Sequence, residues 1–129
     1  DNLVVIVAGY TDKMDNFLSS NPGLRSRFNT YLSFDDYTPS QLVTIFETFC
    51  KKADFELSIS ARERLKTLFT WLYDKRDETF GNARLARNLF EMAINNHANR
   101  IISVPVMTEQ VLSTIEVVDI PLLEDLQGV

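Results

Sequence analysis

From Thr38 to about Ile102 the chain carries a succession of amphipathic helical patterns, each with its own start signal, and this limits the possible folds more than any other feature. In Thr38-Pro39-Ser40-Gln41 a capping hydroxyl is followed by proline at the first helical position and glutamine at the third. Leu42, Ile45, Phe46 and Phe49 then form one apolar stripe, and Lys51 and Lys52 suit the negative end of the helix dipole. Ser60-Ala61-Arg62-Glu63 reads as a second capping box, with Ala61, Leu65, Leu68 and Leu72 facing inward on a helix that runs to about Lys75. A third helix is predicted to start at Asn82 as its cap. It buries Leu85 or Ala86, Leu89, Phe90, Ala93, His97 and Ile101, and it ends near Ile102, before Pro105.

The first 36 residues have a different character. Leu3 to Ala8 is a continuous, largely β-branched run closed by Gly9, the pattern of a strand covered on both faces. Met14, Phe17 and Leu18 recur at helical spacing, Pro22-Gly23 stops that short helix, and Thr30 to Phe34 reads as a second strand. The change from strand-rich to helix-rich pattern places a boundary near Asp36. Because the first residue is Asp1 and the apolar run starts so soon after it, the chain reads as an excerpt of a longer protein. Residues 104–118 are expected to be mostly helix or coil, with Thr108 able to cap one turn and residues 115–118 carrying strand propensity. Asp119-Ile120-Pro121 opens a last short helix through about Leu126.

With 129 residues, 45% of them hydrophobic, the chain can build a compact core. A net charge of −5 argues against general binding to phosphate backbones, and Arg25, Arg27, Arg84, Arg87 and Arg100 are dispersed among acidic neighbours, so nucleic acid is not an expected partner. The longest apolar stretch falls far short of the roughly 20 residues needed to span a bilayer, so no membrane is expected and the protein should be soluble. The single Cys50 excludes an intrachain disulfide and fits a reducing cytoplasm; its place on an apolar stripe reads as a buried thiol. The single His97 has no second ligand at metal-binding spacing and reads as a core histidine, so no metal site is expected.

Arg84 falls in the first turn of a helix, where the dipole already favours anions. Two readings fit it: a phosphate held jointly by the guanidinium and the helix end, or an ion pair with Asp77 or Glu78 upstream. Arg25 and Arg27 follow a Pro-Gly turn and precede a strand, a placement that suits either a surface arginine or a guanidinium reaching into another subunit.

The order of apolar strand, Gly9-Tyr10-Thr11-Asp12, short helix, Asn21-Pro22-Gly23-Leu24-Arg25-Ser26-Arg27-Phe28, second strand, capped helix pair and Gly81-Asn82-Ala83-Arg84 resembles the second half of an AAA+ ATPase. The subfamily it resembles is that of the red-type rubisco activases and the stage V sporulation protein K relatives, over nearly the whole chain to about Ile120. The resemblance implies a mainly α fold: a remnant of the α/β core with two strands over residues 1–36, then a helical lid over residues 37–129. It implies that Arg27 is the arginine finger acting on a neighbouring subunit's nucleotide, with Arg25 the runner-up, and that Arg84 is the sensor-2 arginine. Tyr10 or Thr11 holds the position where the family places a polar sensor-1 residue, commonly asparagine. ATP and magnesium, a homo-oligomeric ring and a remodelled protein partner are implied for the intact parent.

No Gly-x-x-x-x-Gly-Lys-Ser/Thr occurs, and Asp77-Glu78 follows charged residues rather than an apolar strand, so the phosphate loop and the acidic magnesium motif are both missing from this sequence. The chain alone is therefore expected to bind no nucleotide or metal and to hydrolyse no ATP. The strand that would sit between the two expected strands is also missing, so Val4 to Val7 should repack against helices, pair with residues 30–34, or join another copy. A non-enzymatic helical interaction module is the alternative reading, and an ordinary helical domain with surface ion pairs is a third.

Overall fold

The structure is a computed structural model that describes residues 2–126. Asp1 and residues 127–129, which end the expected lid, lie outside the described residues. The chain divides into two compact units, Asp1–Asp35 and Asp36–Val129.

The second unit is built on three helices: α3 (Pro39–Lys52), α4 (Ile59–Asp74) and α5 (Ala83–Ile101). Helix α3 starts as its sequence predicts: Gln41 N donates to the Thr38 hydroxyl and Gln41 Oε1 accepts from Thr38 N. It ends in a Schellman motif, in which Phe55 N donates to Cys50 O and Asp54 N to Lys51 O, with Asp54 at φ 61°. The stripe buries Leu42, Val43, Phe46 and Cys50 against α4 and α5. Leu42, Phe46, Leu65, Phe69 and Leu89 have no exposed surface, and the Phe46 and Phe90 rings meet edge to face at 5.7 Å.

Helix α4 begins earlier than the expected Ser60 box. Its cap is Ser58, whose hydroxyl accepts from Ala61 N at 3.1 Å. The cause lies in tertiary structure. The segment β1 (Glu56–Leu57) pairs in parallel with β2 (Thr114–Ile115), in register Glu56 with Thr114 and Leu57 with Ile115, and Ser58 N continues the ladder to Ile115 O at 3.0 Å. The chain turns straight from strand into helix, which leaves Ser60 inside the first turn.

Residues 104–118 are resolved by that pairing. Thr108 caps the short helix α6 (Glu109–Ser113) through its hydroxyl, as expected, and β2 follows directly. The helix expected from Asp119 to about Leu126 is reduced to a 3-10 turn at Leu123–Leu126, and another 3-10 turn, Val117–Asp119, ends where it was expected to begin. Asp119, 1% exposed, fixes this tail: its carboxylate accepts from Arg100 Nε and Nη2, both at 2.9 Å, and from Glu116 N at 2.8 Å. His97 is buried on α5, where its Nε2–H donates to Val111 O at 3.0 Å and its ring meets Phe55 edge on.

The first unit holds α1 (Thr11–Ser20) and the four-residue α2 (Leu24–Arg27). Neither expected strand forms. Residues 3–8 and 30–34 have no partner strand among the described residues, and Leu3 and Ile6 are 83% and 85% exposed. A strand consists of its ladder hydrogen bonds, and an isolated pair is marginal in water even with good propensity. The mainly α class stands, but the two-stranded sheet belongs to the helical unit rather than to the first. No helix among the described residues is long and apolar enough to cross a membrane.

Candidate functional site

Arg84 sits in the first turn of α5, and the sequence Gly81-Asn82-Ala83-Arg84 shapes the backbone before it. A side chain at Gly81 would put its Cβ 3.3 Å from Leu85 N, a tight contact that a small shift of the first turn would have to relieve, and 3.5 Å from Leu85 Cβ, an ordinary one. Asn82 was expected to cap α5 with its side chain and does not. It adopts φ 52°, ψ −121° and makes no capping bond. Such a conformation costs a non-glycine residue about 1–3 kcal/mol. The Asn82 side chain turns instead to the start of the unit: Oδ1 accepts from Tyr37 N at 2.8 Å, while Nδ2 donates to Asp36 Oδ1 at 2.9 Å and to Phe80 O at 3.3 Å.

With the Asn82 side chain engaged elsewhere, the amino-terminal amides of α5 receive no side-chain cap from that residue. Arg84 is exposed, and among the described residues its guanidinium makes no ion pair with Asp77, Glu78 or any other carboxylate. Asp77 is engaged locally: its carboxylate accepts from the Thr79 hydroxyl and from Thr79 N, and these bonds hold its pKa below the usual carboxylate value. Of the two readings of Arg84, the ion pair is not formed. Arg84 N donates to Gly81 O at 3.0 Å, and a guanidinium at a helix amino terminus whose cap residue makes no side-chain bond is a cationic arrangement able to receive an anion.

In the other unit, Gly23 at φ 97° allows the turn into α2. Arg25 and Arg27 are both exposed on that single helical turn. Residues two apart on a helix do not face each other. Arg25 Nη2 donates to Ser19 Oγ at 3.4 Å, and its carbonyl accepts from the Tyr31 hydroxyl at 3.1 Å. Arg27 has no side-chain hydrogen bond or ion pair among the described residues and is the freer of the two. Tyr10 and Thr11 are exposed at the head of α1 rather than at a strand tip, and Lys13 lies 5.4 Å over the Tyr10 ring.

Sequence reasoning missed Asp36, Tyr37 and Arg76. Asp36 Oδ2 accepts from Arg76 Nε at 3.1 Å, and the Arg76 guanidinium stacks 3.6 Å above the Tyr73 ring while donating to Tyr73 O. Partners 40 to 46 residues apart leave no local signal in the sequence.

The AAA lid domain family matches residues 38–128, and the chain belongs to that family. It is 37% identical over 123 residues to the chloroplastic ribulose bisphosphate carboxylase/oxygenase activase of Cyanidioschyzon merolae, covering 93% of this chain and 41% of that protein. It is 38% identical over 124 residues to the CfxQ homolog of Cyanidium caldarium, covering 93% of this chain and 42% of that protein. It is 35% identical over 126 residues to stage V sporulation protein K of Bacillus subtilis, covering 97% of this chain and 39% of that protein. The chain spans about two fifths of the length of these relatives.

Proposed function

We propose that this chain is the lid and trans-acting part of an AAA+ ATPase that couples ATP binding and hydrolysis to the remodelling of a protein partner within a homo-oligomeric ring. The observation that carries the reading is Arg84: exposed, without an ion pair among the described residues, and seated in the first turn of α5 within the family-matched region. In this reading Arg84 binds the γ-phosphate and passes its presence to the lid. Arg27 serves as the arginine finger for a neighbouring subunit's nucleotide, a role that needs a planar and permanently charged group.

The residues of the chain fit phosphate and not magnesium. Guanidinium and helix amides are anion donors, whereas the described residues contain no group of three or more side chains suited to hold a metal. ATP supplies the bond that is broken. Arg84 and Arg27 orient its phosphates and stabilise the charge that develops there, and the phosphate loop and magnesium ligands belong to sequence outside this chain.

The test is made in the full-length ATPase that carries this segment. Arg27→Ala should lower ATP turnover by about a thousandfold or more, and Arg84→Ala by about tenfold or more. Near-normal rates in either variant would remove that residue's assignment.

A further inference from the structure

Asn82 couples two places far apart in sequence. If the chain needed only a bend before α5, glycine would adopt φ 52°, ψ −121° without strain. The asparagine side chain is engaged at both ends: its oxygen holds the Tyr37 amide, and its nitrogen holds the Asp36 carboxylate and the Phe80 carbonyl. The second carboxylate oxygen of Asp36 holds Arg76, which is itself fixed on Tyr73 at the end of α4. The head of α5 and the end of α4 therefore close around residues 36 and 37, where the chain enters the second unit. Arg84 stands two positions after Asn82 on the same helix end.

We infer that Asn82 is a positioning residue that ties the Arg84 end of α5 to Asp36 and Tyr37 at the start of the second unit, so that the clamp holds Arg84 in the geometry in which it meets phosphate. The inference rests on the sensing role proposed for Arg84. The Tyr37 amide and the Asp36 carboxylate hold the Asn82 side chain, and with it the first turn that bears Arg84, through short, directional bonds. Neither bond acts on the nucleotide itself.

Asn82→Gly keeps the backbone conformation and removes the clamp. In the full chain, amide hydrogen exchange at Tyr37 should quicken by about tenfold, while the Phe46 and Leu89 amides keep their protection. In the full-length ATPase, Asn82→Gly should lower turnover by about tenfold, and by less than about twofold when Arg84 is already alanine, because the effect runs through Arg84. Asp36→Ala, which leaves the Asn82 backbone intact, should follow the same pattern and serves if the glycine variant folds poorly. Unchanged Tyr37 exchange, or an equal loss of turnover with and without Arg84, overturns the inference alone. Wild-type turnover in Arg84→Ala overturns the sensing role and the inference with it.

Discussion

The two units answer the same demand, pairing the backbone and burying the apolar side chains, in opposite ways. In the second unit the helices pair their own backbones, so α3, α4 and α5 need only bring their stripes together. Leu42, Phe46, Leu65, Phe69 and Leu89 accordingly lose all exposure. In the first unit the apolar run from Leu3 to Val7 remains exposed, because a strand requires a neighbouring strand and none is supplied among the described residues. Helical order is local, whereas strand order is contributed from elsewhere.

The widest break in this comparison comes from paired truncations. Phe46→Ala in the second unit should cost about 3–5 kcal/mol in urea unfolding, whereas Ile6→Ala in the first should change stability by less than about 0.5 kcal/mol. Equal costs would show that residue 6 is packed after all.

Next comes the knot that fastens the tail to α5. Asp119→Ala leaves Arg100 without its bidentate partner and the Glu116 amide unpaired, and should cost about 3 kcal/mol. A loss below about 1 kcal/mol would show that the tail holds to α5 without the ion pair.

A smaller effect should appear at high pH. Burial, aided by the charge of Glu47, pushes the Cys50 thiol from 9.0 up to about 12. Below pH 9 both states keep the proton and Cys50 contributes no pH dependence. Between about 9 and 12 the unfolded chain releases a proton that the native state retains, so stability falls as pH rises, by at most about 1.4 kcal/mol per pH unit. Unfolding measured at pH 8 and pH 10 should show a steeper loss in the parent than in Cys50→Ala, and equal slopes would contradict the burial. The smallest expected change is a gain: Asp54→Gly relieves φ 61° at the end of α3 and should add about 0.5–1 kcal/mol to stability.

What could be read from the sequence divides along the same line. The helices were legible because their signals are contained within a few residues: the hydroxyl of Thr38, the glutamine three positions later and a stripe every third or fourth residue. Thr108 was legible for the same reason. Ser58 was not, because its choice over Ser60 depends on a two-residue ladder with Thr114 and Ile115. The strands expected at 3–8 and 30–34 were read from propensity, which cannot supply a partner. Within the candidate site, Arg84 stood out as a cation at the wrong end of a helix. Asn82 was taken for an ordinary cap, since its backbone angles and its bonds to Asp36 and Tyr37 exist only in the folded chain.

The central claim, that Arg84 reads the terminal phosphate, is tested most directly by the affinities of the full-length protein for ATP and ADP, with and without Arg84→Ala. The account predicts that the substitution weakens ATP by about tenfold and leaves ADP within about twofold, so that discrimination between the two collapses. Equal weakening of both nucleotides, or an unchanged ratio, would contradict it.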